Sequence, residues 1–431
     1  MMSKQTATAM ILSLAVGATS FPGAASGQLP SASTAALATA NNYTALARGF
    51  AATALNPAGF AMPGNPGFSM SFPLFPIEVR TGLTALTLSE IAEFGGIALP
   101  VEVKEDWLQR VIAEDGLTTR VGVAITEFAL SVGRVGFQIS TVGVENSTIG
   151  ADAFELALFG NAGRTGTTRN MTLAGTQVDG WAATTAALAF GIPLPDFQNG
   201  SFGVGATLKY TVGHVLISGG DDGTSVIRTN PISFDLSLPS IAPDSLTFDN
   251  GTGVGMDLGL AWEDSTWAVS AVVQNVFNTF QWKLENLAFR PGLVLVDGTS
   301  VSDDFDAVPA ASAPQAFQDE ILARSFDAVL ILGLAYRASD KLALTADFQK
   351  DTGERLVRGE GSHVGVGAEF RGVSFLPLRG GMSFISGGAI HFAAGFGLEL
   401  GPLHLSAAYL TEKNSDGEMR AATVAMSFSH H

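Results

Sequence analysis

The six histidines are the residues of this sequence best suited to acid–base or metal chemistry, and they do not cluster. Metal sites use several ligands at characteristic spacings, whereas His363, His391 and His404 fall singly on the polar faces of alternating segments. No Walker sequence, HExxH or GxSxG occurs. We therefore predict no enzyme activity, no metal and no cofactor. A lipase whose Ser and His meet only in space is the alternative that the sequence leaves open.

Other chemical signals are weaker still. Gly-x-Gly pairs at 253/255, 365/367 and 395/397 lie inside alternating segments with no helix after them, which favours small lining residues over a nucleotide loop. The net charge of −17 argues against a nucleic-acid partner, because phosphates attract Lys and Arg. Acidic bunches at Asp221-Asp222 and Asp303-Asp304 lack the spacing and Gly of a calcium loop. They are typical of solvated external loops.

The elements that would position these residues are strands with two unlike faces. Residues 390–400, 403–409 and 422–428 alternate between apolar and small or polar side chains, the period of a β-strand. Charged residues make up only 15% of the chain, against roughly 25% in soluble domains. No run of about 18 apolar residues follows the N-terminus, so spanning helices are not expected. Together these features predict a transmembrane antiparallel β-barrel of about 14 strands.

The second face of the predicted strands carries Gly, Thr, Ser, His and scattered charges of both signs. A soluble sandwich would place a denser set of Lys and Glu on its water-facing side. We therefore predict a lumen lined by polar pairs and filled by a segment that lies close to the wall. The charged residues assigned to this lumen are Lys209, Asp257, Asp347, Glu369, Arg371 and Glu399.

The chain divides into three predicted parts. Residues 1–26 have the Lys, the short apolar core and the small residues of a signal peptide. Residues 27–66 lack strand alternation and form an N-terminal plug segment, and residues 67–431 form the barrel. Within the barrel, residues 285–325 are the longest connection and are expected to be an external loop with a helix at 316–324. Further helices are expected at 101–113 and 151–160, and a β-bulge between Ile125 and Phe128.

Several stretches resemble a known family. Residues 47–72, ARGFAATALNPAGFAMPGNPGFSMSF, resemble the start of the FadL-type long-chain fatty-acid transporters, with the Asn-Pro-Ala motif at Asn56-Pro57-Ala58. Residues 151–163, 251–283 and 362–384 resemble the PorV-type and TraF-like branch of that superfamily. The resemblance covers most of the mature chain. It implies a 14-stranded bacterial outer membrane barrel closed by an N-terminal plug, and it leaves the cargo open.

The functional hypothesis is passage of a hydrophobic, fatty-acid-like molecule across the outer membrane. The expected partners are membrane lipids and this ligand. Phe50, Phe60 and Phe68 are the candidate ligand surface and Arg48 the candidate partner of a carboxylate, with plug packing as the alternative role for each. Asn56 and Pro57 are expected to set one rigid turn. A secretion-associated or envelope-associated scaffold, bound to an envelope protein, is the alternative function.

Overall fold

The computed structural model describes residues 29–245, 248–297, 300–352, 362–386, 388–414 and 417–430. The predicted signal peptide, residues 1–26, lies outside the described residues, as do the first two residues of the predicted plug segment. None of the described helices has both the length and the apolar character needed to cross a membrane.

The helices are short and lie before or between the strands. They are α1 (Thr34–Ala38), α2 (Ala52–Leu55), α3 (Leu88–Glu93), α4 (Val101–Ala113), α5 (Ala151–Phe159) and α6 (Gln315–Ala323). Short 3-10 turns occur at Thr44–Leu46, Gly49–Ala51, Pro57–Ala61, Gly160–Ala162, Leu284–Asn286 and Ala310–Ser312. The helices predicted at 101–113, 151–160 and 316–324 are therefore present within a residue of their predicted ends. Pro100 precedes α4, and Trp107, Leu108 and Val111 form its buried face.

The strands fall into a large sheet and a small one. The first twelve are β1 (Phe68–Ser71), β2 (Ile77–Thr84), β3 (Leu117–Val132), β4 (Val135–Ile149), β5 (Met171–Thr172), β6 (Gln177–Phe197), β7 (Gly200–Gly220), β8 (Val226–Thr229), β9 (Ile232–Ser237), β10 (Ser240–Pro243), β11 (Gly251–Glu263) and β12 (Trp267–Asn278). The remainder are β13 (Gln281–Trp282), β14 (Leu287–Arg290), β15 (Leu293–Asp297), β16 (Ser300–Asp304), β17 (Val308–Pro309), β18 (Val329–Ser339), β19 (Leu342–Asp351), β20 (His363–Phe370), β21 (Leu378–Ile385), β22 (Ile390–Leu400), β23 (Leu403–Asn414) and β24 (Gly417–His430).

The large sheet closes into a barrel of 14 antiparallel strands, as predicted. β1 and β2 share the first position, and β24 pairs with both of them to close the ring. Barrel strands that follow one another in the chain also lie side by side in the wall, as β3, β4, β6 and β7 do. Closure pairs the strands around the ring, except beyond the pair Gln274–Val329, where β12 runs past the start of β18. The predicted bulge is confirmed by a register shift between Thr126 and Phe128.

The two ends of the barrel differ in the length of their connections. One end has tight turns, such as Gly133-Arg134 and Gln198-Asn199, in which Gly133, Gln198 and Asn199 have positive φ. The opposite end carries the connections 85–116, 150–176, 221–250 and 279–328. We call these the short-turn end and the long-loop end.

The two faces of the wall follow the alternation read from the sequence. Along β7, Leu208 and Tyr210 are exposed while Thr207, Lys209 and Thr211 are buried. The same pattern in β22 exposes Phe392 and Phe396 and buries His391. An apolar band therefore covers the outside, and polar or small side chains cover the inside.

The connection 285–325 differs from the external loop that was expected. β15 and β16 join β9, β8 and β5 in a separate five-stranded sheet, and every residue of β16 is exposed. In contrast, Leu287, Ala310 and Ile321 are fully buried against the barrel. The connection is thus part external sheet and part packing inside the barrel mouth. Large apolar side chains such as Leu287 and Ile321 gain more from burial than from exposure, which explains the inward fold.

Candidate functional site in the barrel lumen

The N-terminal segment, residues 29–66, touches the wall on all sides. Helix α1 contacts β21, β22, β23 and β24, and the turn Thr44–Leu46 contacts β12 and β18. Gly49–Ala51 contacts β1, β3 and β4, and Pro57–Ala61 contacts β6, β7 and β11. A chain that meets strands around the whole ring lies within it. Because the segment is Ala-rich and most of its residues are buried, the segment and the wall form one packed interior.

Glycines of the wall make this close approach possible. A Cβ at Gly205 would lie 2.3 Å from the carbonyl carbon of Pro57. A Cβ at Gly381 would lie 2.3 Å from the carbonyl oxygen of Thr39, on the opposite side of the barrel. Any side chain at these positions would displace the backbone of the segment. The predicted role of the lining glycines, close backbone approach, matches this geometry.

Asn56 and Pro57 form a turn at the position that the sequence predicts. Asn56 Oδ1 accepts a hydrogen bond from the backbone N–H of Ala58 at 3.0 Å, and the 3-10 turn begins at Pro57. Asn56 Nδ2 donates to the carbonyl oxygen of Leu260 in β11 at 3.2 Å. The same side chain thus shapes the segment and ties it to the wall.

Wall side chains satisfy further backbone groups of the segment. Thr207 Oγ1 donates to the carbonyl of Thr53 at 2.9 Å, and Gln274 Nε2 donates to that of Ala54 at 3.0 Å. Asp347 is buried in β19, and its Oδ2 accepts from the backbone N–H groups of Tyr43 and Thr44 at 3.1 and 3.0 Å. Buried backbone groups are costly without partners, so these bonds specify one position for the segment.

Arg48 is held by an ion pair in this structure. Its guanidinium pairs with Glu263, which also pairs with Arg337 near the short-turn end. Arg48 further donates to the carbonyl oxygens of Ala47 at 2.8 Å and Pro63 at 3.1 Å. A ligand carboxylate at Arg48 would compete with Glu263, so the role predicted for Arg48 stays a prediction.

Three other lumen carboxylates predicted from the sequence also find cationic partners. Glu369 accepts from Arg371 Nε and Arg379 Nε, each at 2.6 Å, and Arg371 also pairs with Glu399 at 2.9 Å. Asp257 pairs with Lys209 Nζ at 2.5 Å, and both side chains are almost fully buried. Opposite charges at such distances offset part of the cost of burying each group. The polar pairs expected in the lumen are therefore present, and Arg379 and Glu263 are members that the sequence argument missed.

The three aromatic candidates do not meet. Phe60 is buried inside the barrel with Ala52 and Ala189, and Phe50 is half-buried in the segment. Phe68 lies on the outer face of β1, where its ring centroid is 5.9 Å from that of Phe428. The cause is strand alternation, which turns Ser69 inward and Phe68 outward. A shared ligand surface of these three rings is thus not formed.

An apolar cluster that is not predicted from the sequence fills the mouth of the barrel. Its aromatic members are Trp181, Phe280, Trp282, Phe289 and Phe326. We call this set, with the aliphatic residues packed on it, the mouth cluster. The centroid of Phe326 lies 5.4 Å from Trp181 and 5.1 Å from Phe280. Trp181 and Leu216 are inward positions of β6 and β7, whereas Phe280 and Trp282 come from the chain after β12.

Glycines again set the position of this cluster. A Cβ at Gly253 would lie 2.3 Å from the backbone N of Phe280, and one at Gly213 would lie 2.6 Å from the Trp282 ring. Two aromatics shortly after a strand that contains alternating glycines are the sequence signal that could have indicated this packing.

The wall is interrupted beside the mouth cluster. The β12–β18 ladder ends at the pair Gln274–Val329, although β12 continues to Asn278. The register of β12 against β11 shifts between Met256 and Leu258 of β11. Asn275, in the part of β12 that faces this shift, has a φ of 50°. Its backbone N–H donates to Asp257 Oδ1 at 2.7 Å and its Nδ2 donates to the carbonyl of Asp327 at 3.0 Å. We call this interruption the β12–β18 seam.

These features define a class: a closed barrel with an apolar outer band and a packed, polar-lined lumen. Solved structures are similar to this chain, and the two with TM-scores of 0.50 and 0.51 share its fold. The P. putida toluene transporter TodX matches with a TM-score of 0.50 and 14% identity, over 89% of this chain and 95% of that chain. The TodX deltaS2S3 mutant, a monoaromatic hydrocarbon channel, matches with a TM-score of 0.51 and 13% identity, over 88% and 94%. A Pseudomonas aeruginosa FadL homologue matches with a TM-score of 0.47 and 12% identity, over 94% and 100%.

No family model and no curated protein matches the chain. The resemblance to FadL-type outer membrane transporters is confirmed at the level of the fold, and this fold is that of a bacterial outer membrane protein. The placement within the PorV-type and TraF-like branch stays a prediction.

Proposed function

We propose that the protein carries a hydrophobic small molecule, fatty-acid-like in character, across the outer membrane. The mouth cluster is the observation that carries this proposal. Five aromatic side chains gather inside the long-loop end of the barrel, and small-molecule sites are lined predominantly by apolar and aromatic side chains. The fold shared with TodX, a toluene transporter, supports the same class of cargo for this chain.

In this proposal the N-terminal segment is a plug that closes the water path. Its support is the packing of Pro57 and Thr39 against wall glycines and the anchoring of Tyr43 and Thr44 by Asp347. An apolar molecule gains nothing by moving down a lumen of buried ion pairs, because it would break their hydrogen bonds. The cargo therefore needs another exit.

The β12–β18 seam is the exit that we propose. From Asn275 to Asn278, β12 has no ladder partner on its β18 side among the described residues. Phe326 of the mouth cluster precedes β18 by only a few residues, so the cluster reaches the wall at this point. Outside the seam, Val276 and Phe277 are exposed on the apolar band. A sideways exit would deliver the cargo into lipid without crossing the plug.

Uptake of labelled oleate and labelled toluene tests the function. Cells that carry the gene should take up at least one compound faster than cells without it. Phe280→Ala should lower that uptake, because it removes the centre of the mouth cluster. Phe392→Ala, an aromatic deletion on the outer band, is the matched control and should leave uptake unchanged. Equal uptake of a range of apolar compounds with and without the gene would reject the transport role.

A partner-binding role is the second candidate, and the external five-stranded sheet favours it. Its edge strand β16 is exposed along its whole length and ends in Asp303 and Asp304. Exposed edges accept further strands. Affinity purification from detergent extracts separates the two roles: a stoichiometric envelope protein supports a scaffold, and co-purified apolar ligand supports transport.

A further inference from the structure

An open cleft of about 620 Å³ lies outside the lumen, on the lipid-facing side of β6 and β7 near the long-loop end. Its volume is in the range of about 300–1,000 Å³ typical of small-molecule sites. The cleft is separate from the mouth cluster, since Gly213, with Trp282 behind it, forms the wall between them. No role described so far uses this cleft.

A β-bulge creates the cleft. Ala182 and Ala183 of β6 pair with Val215 and Gly213 of β7, which leaves His214 as the extra residue. Bulges redirect side chains, and this one places the His214 ring outward. Its Nε2 lies 2.7 Å from Thr184 Oγ1 and its Nδ1 lies 2.7 Å from the carbonyl oxygen of Phe248. The ring is thus locked in place as one wall of the cleft.

The opposite sides of the cleft have opposite character. Toward the membrane, Tyr210 and Val212 continue the apolar band, and Tyr210 is 51% exposed. Toward the long loops, Asp249 and Asn286 form a polar rim. The two sides together match an amphiphile whose chain lies on the band and whose head lies at the rim.

The side chains at the rim indicate which class of lipid headgroup fits the cleft. Phe248 presents a ring that is 78% exposed, a flat apolar face beside the carboxylate of Asp249 and the amide of Asn286. Hydroxyl-rich rings offer C–H faces to an aromatic and O–H groups to carboxylates and amides. The nearby cation, Lys283, already pairs with Asp249 Oδ1 at 2.6 Å, so an anionic phosphate gains little there. Asn286 Nδ2 already donates to the backbone carbonyl of Asp249 at 2.6 Å, so the groups offered to sugar hydroxyls are Asp249 Oδ2 and Asn286 Oδ1.

We propose that this cleft binds the sugar headgroup of a membrane glycolipid, with its acyl chain on Tyr210 and Val212. Phe248 packs on the sugar ring, and Asp249 and Asn286 bind its hydroxyl groups. The proposal is independent of the cargo, because the cleft opens to lipid and not to the lumen.

Native mass spectrometry of the full-length protein tests it. The protein is released from an amine-oxide detergent in the presence of glucosyl diacylglycerol or of phosphatidylglycerol with the same acyl chains. We expect about fivefold greater retention of the glucosyl lipid. Phe248→Ala and Asn286→Ala should each remove about that factor, the effect of one lost contact or hydrogen bond.

Substitution of two tyrosines on well-separated strands distinguishes loss of acyl-chain binding in the cleft from a general loss of lipid binding. Tyr210→Leu should weaken retention of the glucosyl lipid, whereas Tyr409→Leu, also on the outer face, should not. Heat-modifiable migration on gels shows that each variant keeps its barrel. Equal retention of the two lipids, or retention by Phe248→Ala and Asn286→Ala equal to that of the unmodified protein, would overturn the assignment.

Discussion

The N-terminal segment and the mouth cluster fill the same lumen by opposite means. The segment contributes small residues and backbone groups. Wall side chains bind it through hydrogen bonds and ion pairs, such as Asp347 to Thr44 and Glu263 to Arg48. The mouth cluster contributes aromatic rings, which pack against apolar side chains of the wall. Hydrogen bonds specify one geometry, whereas apolar contacts tolerate repacking. The segment is thus held in one geometry, whereas the mouth cluster can repack, which fits the plug and the ligand site proposed above.

Both regions nevertheless depend on glycines in the wall. Gly205 and Gly381 admit the backbone of the segment, and Gly213 and Gly253 admit the rings of the mouth cluster. Strands with alternating glycines therefore accommodate both the backbone of the segment and the rings of the mouth cluster. What differs is the chain that reaches the wall, which comes from before β1 in one case and from after β12 in the other.

The largest expected effect comes from removing part of the N-terminal segment, the proposed plug. Deleting residues 43–62 removes the anchors at Asp347, Glu263 and Leu260 and should leave a folded barrel with a water path. In planar bilayers the deletion should conduct in large steps while the full-length protein stays nearly silent. Heat-modifiable migration shows whether the barrel is intact. If both proteins conduct alike, the segment is not a plug.

A similar test breaks the other region. Phe280→Ala leaves a cavity in the mouth cluster and should lower the free energy of unfolding by about 3–5 kcal/mol. The expected functional loss is in uptake of apolar compounds, with no conductance, because the plug remains. Urea unfolding in detergent and bilayer recording measure the two effects. Large conducting steps from Phe280→Ala would show that the mouth cluster, and not the segment, closes the water path.

The boundary between the two regions is the buried pair Lys209–Asp257. Lys209→Met leaves the Asp257 carboxylate unpaired and should cost about 3–5 kcal/mol of stability. Replacing both residues, as Lys209→Met with Asp257→Leu, should recover most of that loss. Urea unfolding of the single and double variants measures the coupling. A single variant as stable as the unmodified protein would mean that the 2.5 Å pair does not form in the membrane.

The sequence predicts the local parts of this architecture well. Period-two alternation is a property of neighbouring residues, so the outward position of Phe392 and the inward position of Lys209 follow directly. Helix α4 is equally local, since Pro100 and the spacing of Trp107 and Val111 define it. The polar lining was recognised for the same reason.

Long-range partners could not be predicted this way. Arg48 and Glu263 are 215 residues apart, and nothing in either neighbourhood indicates the other. The mouth cluster was missed because Phe280 and Trp282 lie in a connection, where periodicity carries no information about burial. Phe68 was assigned to a ligand surface from its closeness in sequence to the segment, although alternation with Ser69 turns it outward.

The smallest expected effect tests the contact on which the comparison rests. A methyl group added by Gly205→Ala would meet the backbone of Pro57 at 2.3 Å, so the segment or strand β7 must shift. Overpacking of this kind costs about 1–3 kcal/mol, and the loosened segment should admit small, brief conducting steps. Gly143→Ala is the matched control, because its nearest neighbour would be the Cβ of Ala182 at an ordinary 3.7 Å. Urea unfolding and bilayer recording of the two variants together measure the difference. Identical behaviour of Gly205→Ala and Gly143→Ala would mean that the segment does not press on β7, and the position of the segment in the lumen would then rest on its hydrogen bonds alone.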